Sequence, residues 1–150
     1  PWELHLLRNV YNIPESKLCL ASFFVNDEDS SSSFAQRLPI FDERKDFVFV
    51  GGFRHPPNVD AVQHLKILWP QLRTALGSAH KDVQLHVYGA FCPTALHSEL
   101  HDPSNGFVMH GFHPSIRDIL STRRVLLAPI RFGAGIKGKI IEAWKFGLPA

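Results

Sequence analysis

The residues with the most chemical potential in this 150-residue chain lie together in the run LLAPIRFGAGIKGKIIEAWKFGLPA, residues 126–150. An apolar, strand-like stretch there passes into Gly133-Ala134-Gly135, then Ile136, Lys137 and Lys139, and then a helix whose early turns carry one acid, Glu142. Strand, glycine turn and helix start, in that order, bring bare backbone N–H groups and the positive end of a helix to one point. An anion such as a nucleotide diphosphate suits that point. A plainer reading needs the glycines for turn geometry alone.

Apolar patterning gives the elements that must position these residues. Residues 2–10 read as a short amphipathic helix stopped before Pro14, and 17–24 as an extended segment. Asn26-Asp27-Glu28-Asp29 and the serines that follow are small, polar and acidic, which suggests a linker or hinge over 26–40 between the tail of a preceding domain, 1–25, and a domain over 41–150. Beyond it, strands are expected at 47–50, 83–88, 107–110 and 125–129, alternating with helices at 58–76, 94–101, 115–120 and 139–146. Alternation of this kind with continuous apolar strand cores implies a parallel sheet covered on both faces, and right-handed crossovers make it Rossmann-like α/β. In the long helix Asn58 serves as N-cap, Val62, Leu65, Trp69, Leu72 and Leu76 form one buried stripe, and Pro70 should bend it.

In an open parallel sheet ligands sit at the carboxyl ends of the strands. Those ends are here Gly51-Gly52-Phe53-Arg54-His55, Gly89-Ala90-Phe91, Gly111-Phe112-His113 and the stretch 129–137. Glycine occurs at every one, as a close backbone approach to a ligand requires.

Composition excludes several classes. With 45% hydrophobic and 20% charged residues the chain is globular, and its formal charge of +2, without a run of basic residues, gives no nucleic-acid-binding surface. Cys19 and Cys92 are far apart and lack metal-ligand spacing, so neither a zinc site nor a disulfide framework is indicated, and a reducing, cytoplasmic compartment is the expectation. No apolar run approaches the roughly 20 residues of a spanning helix. The start at Pro1 and the close on Phe146-Gly147-Leu148-Pro149-Ala150, a helix stop with a strand opening after it, read as a piece of a longer polypeptide. His97 and His101, four apart on a helix, lack a third metal ligand. His86 and His110 read as strand histidines with satisfied rings, Arg131 as a side chain lying over Phe132, and Tyr88, Trp69 and Trp144 as packing residues.

The segments DFVFVGGFRHPPNVDAVQHLKILWPQLR, VQLHVYGA and GFVMHGFHPSIRDILSTRRVLLAPIRFGAGIKGKIIEAWKFGLPA resemble the carboxyl-terminal domain of a GT-B-fold glycosyltransferase of the group 1, or family 4-like, type. The resemblance spans about residues 46–150 and is carried most specifically by GGFxHxPN and GAGIKGKIIEAWxxGLP. It implies retaining transfer of a sugar from a UDP- or GDP-linked donor to an acceptor of unknown kind (glycan, lipid, protein or small molecule), with no cofactor and no metal. By position, Glu142 would take the donor ribose hydroxyls, a carboxylate offering two acceptor oxygens to a vicinal diol. Gly133, Ala134, Gly135, Ile136, Lys137 and Lys139 would face the diphosphate, Gly51, Gly52 and Arg54 would approach it from the first loop, and Gly111, Phe112 and His113 would lie against the base.

The chain departs from the family pattern at three places. Ala134 stands where many members have a second glutamate, and Gly52 and Pro57 stand where many have an arginine and a lysine on the diphosphate. Lys137, supported by Lys139 or Arg54, is then the expected source of positive charge toward the leaving group. Two alternatives remain: a GT-B-type sugar-nucleotide 2-epimerase, and a non-catalytic nucleotide-binding module of the same descent.

Overall fold

The computed structural model describes residues 2–21, 38–133 and 135–150. Most of the expected linker, the end of the expected 17–24 segment, and Ala134 lie outside the described residues.

Four parallel strands form one sheet in the order β3-β2-β1-β4: β1 Lys45–Val50, β2 Leu85–Tyr88, β3 Phe107–Gly111 and β4 Arg123–Leu126. Helix α1, Trp2–Asn9, precedes them and buries no residue. Between strands run α2 (Pro56–Leu76), α3 (Thr94–Leu100) and α4 (Ile116–Leu120), and α5 (Gly138–Lys145) follows β4. Period-two alternation sends Phe49, Leu85, Val87, Phe107 and Met109 to one face, where they pack with Ala61, Val62, Leu65 and Trp69 of α2. Val48 and Leu126 go to the other face, against Ile119 and Leu120 of α4 and Ala143 of α5. The fold is therefore a Rossmann-like α/β sandwich, as the strand and helix alternation requires.

The long helix starts earlier than expected. Proline is favoured at the first helical position, where its missing N–H is not needed, and Pro56-Pro57 open α2 with His55 as N-cap. Asn58 is thus the third helical residue, buried rather than capping, with its N–H donating to His55 O at 2.9 Å. The helix runs through Pro70 to Leu76 in one span. Val62, Leu65 and Trp69 are buried as the stripe requires, whereas Leu72 is exposed at the far end.

β4 begins two residues before its expected start, because charged residues in a strand are masked by their partners. Arg124 pairs with Asp42 at 3.7 Å, and Arg123 donates to Tyr88 Oη at 3.3 Å and lies 3.9 Å from Asp46. The expected helix stop is a Schellman motif: Gly147, φ +61°, donates to Trp144 O and Leu148 N–H reaches back to Ala143 O. Buried Arg44 adds a donor to the same carbonyl end, Nη1 bonding Phe146 O at 2.8 Å, while its Nε bonds Pro39 O. Leu38 already packs on the second core, so the ordered domain includes the end of the expected linker. Leu126 N–H donates to Pro149 O at 2.7 Å, which sets the chain after α5 alongside β4. Trp144, expected to pack, is 63% exposed, and no described helix is long and apolar enough to cross a membrane.

A polar chain crosses the strands. Asp46 Oδ2 lies 3.3 Å from His86 Nε2, and His86 Nδ1 lies 2.8 Å from His110 Nε2. A carboxylate can only accept, so His86 carries its proton on Nε2 and His110 donates to the bare Nδ1. His110 also stacks on Tyr88 with ring centroids 4.4 Å apart. Burial first, and then Arg123, lower His86 against the opposing pull of Asp46, while burial and then the His86 ring and Arg123 lower His110 to about 4. The residue is exposed overall, but its Nε2 is the inward-facing nitrogen.

Neutral histidines that charge more readily in the unfolded chain give stability that is complete above about pH 6.5 and is lost as pH falls toward the folded values. His110→Gln, which retains an amide donor for His86, should lose less thermal stability between pH 6.5 and pH 4 than the parent. Melting curves at the two pH values check this; equal losses would remove His110 from the acid response.

Candidate functional site

The carboxyl ends of β1, β2 and β3 surround a narrow slot. Its volume is about 210 Å³, and Gly51, Gly52, Tyr88, Gly89, Phe112, His113 and Ile116 are among the residues that line it. Glycine is obligatory at its floor: a Cβ on Gly89 would stand 2.1 Å from Gly51 O, and one on Gly51 would meet the Asn58 side chain at 2.6 Å. Of the expected residues the slot gathers Gly51, Gly52, Phe112 and His113. His113 Nδ1 is held by Ser115, at 3.2 Å from its N–H, and its ring meets Tyr88 edge-on. Phe112 is exposed at the mouth, so a flat apolar group could lie between it and the glycine floor. Gly111 stands one residue behind, with φ +80°, and its carbonyl accepts from Gly89 N–H at 2.8 Å.

A second group lies at the start of α5. Gly133 and Gly135 have φ of +108° and +77°, the left-handed side that L side chains rarely adopt, so the turn there requires glycine. Ile136 is exposed, and Lys137 takes the N-cap position of α5 without a side-chain cap hydrogen bond. The first N–H groups of a helix have no partner within it, so this end offers backbone donors to an anion. Lys137 Nζ would lie 3.6 Å from a Cβ on Gly133, which puts its charge over the same turn. Ala134 falls outside the described residues.

Lys139 is placed differently from its neighbour. Its Nζ donates to Asn58 Oδ1 at 2.7 Å and sits 4.2 Å from the centre of the Phe49 ring. Burial, with the nearby Lys137 charge second, lowers its pKa to about 8. Glu142 follows one turn after Gly138, so the two share a side of the helix. Its side chain keeps 37% of its exposure, and Oε1 lies 4.0 Å from Lys145 Nζ. The side chain is therefore partly open to solvent and bordered by a cation, not sealed beneath neighbours.

Arg54 stays apart from both groups, its guanidinium 3.7 Å over the ring of exposed Phe91. Arg131 does not lie on Phe132: Nε donates to Asp60 Oδ2 at 2.9 Å and Nη2 pairs with Oδ1 of the same carboxylate. That pairing holds the Asp60 carboxyl below its ordinary value and raises Arg131. His97 and His101 serve the fold: His97 Nε2 bonds Met109 O, and His101 Nδ1 accepts from Met109 N–H.

Sequence reasoning missed Asn58, which joins the two groups. Its Nδ2 donates to Gly52 O at 2.9 Å while its Oδ1 holds Lys139. The signal was Pro56-Pro57: prolines at the first helical positions put Asn58 inside the helix, where its amide is free to bond elsewhere. Tyr88, assigned to packing, also lines the slot.

A larger cavity, about 580 Å³, opens beside the second half of α2, at the amino end of β3. Its polar side chains serve one another or the backbone: Lys66 pairs with Asp102 at 3.0 Å and Arg73 donates to Asn105 O at 2.7 Å. It lies at the end of the sheet opposite the glycine junctions.

Comparison with known proteins agrees with this fold. Similarity to the crystal structure of TarM has a TM-score of 0.56 at 14% identity, over 71% of this chain and 21% of that one. The chain thus spans about a fifth of that protein's length, and the likeness places the fold with the Rossmann-like half of GT-B proteins. No curated protein matches the chain. The family model described as glycosyl transferases group 1 matches residues 44–150, from the buried arginine before β1 to the last residue, and takes in both groups of site residues. The chain belongs to the glycosyl transferases group 1 family.

Proposed function

We propose that this chain is the donor-binding part of a glycosyltransferase that moves a sugar, with retention, from a UDP- or GDP-sugar to an acceptor bound by another part of the protein. The observation that carries the reading is the junction into α5, where two glycines with positive φ, an N-terminus without a side-chain cap and Lys137 meet within a few residues. A diphosphate there would take backbone donors and one ammonium, and Glu142, one turn along the helix, would accept from the ribose hydroxyls. The base would enter the slot between Phe112 and the Gly51-Gly52 backbone.

Charge stabilisation of the departing diphosphate would fall to Lys137 and to the end of α5. Gly52 and Pro57 bring no cation, and the guanidiniums of Arg54 and Arg131 are turned to Phe91 and Asp60. That same disposition favours a second reading, a module that binds the nucleotide without catalysis.

Titration with UDP, GDP and ADP tests the reading first. UDP or GDP should bind saturably, and Glu142→Ala and Lys137→Ala should each weaken binding about tenfold, since a hydrogen bond to a charged group is worth about 1.5–3 kcal/mol. Absence of binding by all three nucleotides would contradict it. Turnover of UDP- or GDP-sugar by the full-length protein separates the transferase from the silent module, and product stereochemistry tests retention.

Binding should also depend on pH through Lys139. Its charge, present below a pKa of about 8, adds to the positive field at the start of α5. Diphosphate affinity should fall as pH rises from 7 to 9, and Lys139→Met should flatten that fall. A variant with the parent's pH profile would show that Lys139 contributes no field at the anion.

A further inference from the structure

Three contacts run from the first turn of α2 to the connection that enters α5. Asp60 grips the Arg131 guanidinium with both carboxylate oxygens. Asn58 accepts from Lys139 Nζ at 2.7 Å while holding Gly52 O. Pro57 abuts Gly133 so closely that a Cβ there would come within 3.3 Å of the proline Cγ. Pro57, Asn58 and Asp60 lie within about one helical turn, so a single rigid segment meets the connection on both sides of Gly135, Ile136 and Lys137.

The charges in these contacts are already committed. A guanidinium matched by a bidentate carboxylate has its favoured anion. The Lys139 ammonium is turned inward onto an amide and the Phe49 ring. Neither side chain is disposed to reach outward for a ligand, yet both fix the backbone on either side of the glycine turn.

We propose that the first turn of α2 is the positioning element for the anion-binding turn, with Arg131 and Lys139 acting as positioning residues that hold Gly135, Ile136 and Lys137 in their ligand-ready arrangement. The functional half of this inference rests on the donor-site reading above; the structural half rests on the contacts alone. Pro57, at a family position for a cation, takes on a second role as the surface against which the turn is seated.

The test uses unliganded protein, with ¹⁵N order parameters at Gly135, Ile136 and Lys137, in the parent, Asp60→Arg, Arg131→Asp, the double exchange, and the milder Asp60→Asn. Each single variant should lower these values from the rigid range near 0.85 toward the flexible range below about 0.6, and the double exchange should restore them. UDP and GDP affinity, measured in parallel, should fall about fivefold in the single variants and return within about twofold in the double, the scale of one well-formed exposed ion pair. Unchanged order parameters in the single variants, or none regained in the double, would overturn the proposal. Order lost in the single variants and regained in the double exchange, together with a parent that binds neither UDP nor GDP, would count against the donor site while supporting the seating of the turn.

Discussion

Asn58 lies where the end of β1, the start of α2 and the start of α5 meet, and its one amide serves all three. Nδ2 holds the Gly52 carbonyl and Oδ1 holds Lys139, so the two loops that would enclose an anion share a single buried side chain. A buried amide left without partners costs about 1–3 kcal/mol, which couples the three segments to one another. The constraint extends to the sequence around it. Gly51 cannot carry a side chain because the Asn58 amide fills that space, and Gly89 cannot because the Gly51 carbonyl does. Glycine at these junctions is as much a demand of the chain's own packing as of any ligand.

The electrostatics follow from the same arrangement. Of the cations near the carboxyl edge, Arg131 is matched by Asp60, Arg54 stacks on Phe91, and Lys139 is drawn inward to the amide and a ring. Burying an ammonium disfavours its charged form, and this is why Lys139 sits near 8. A diphosphate bound here would depend on oriented backbone N–H groups and Lys137 more than on a ring of side-chain charge. This disposition explains how a member of the family can lack cations at positions 52 and 57 and still present a positive surface at the start of α5.

The architecture was legible because it rests on patterns that few interactions override. Strand cores alternating with helical stretches gave the parallel sheet, and Phe146-Gly147-Leu148-Pro149 gave a helix end that the Schellman motif realises. What escaped were residues whose role is set by distant partners. Arg123 and Arg124 look like loop residues until Asp46 and Asp42 are brought beside them, and Arg131 looks like a side chain lying over Phe132 until α2 supplies Asp60. Asn58 reads as a cap on residue preference alone, but the prolines before it have already started the helix. An aromatic in an amphipathic helix reads as core, but the face of α5 that carries Trp144 meets solvent.

The central physical claim is that the turn before α5 and the Glu142 carboxylate hold a ribose and its diphosphate as one unit. Comparing affinities of UDP and its 2′,3′-dideoxy analogue (or the GDP pair) for the parent and for Glu142→Ala tests it most directly, since the cycle isolates the carboxylate–diol interaction. The account predicts that loss of the hydroxyls weakens binding to the parent by roughly tenfold or more and leaves Glu142→Ala nearly unaffected. Equal losses in both proteins would place the ribose away from Glu142 and contradict the claim.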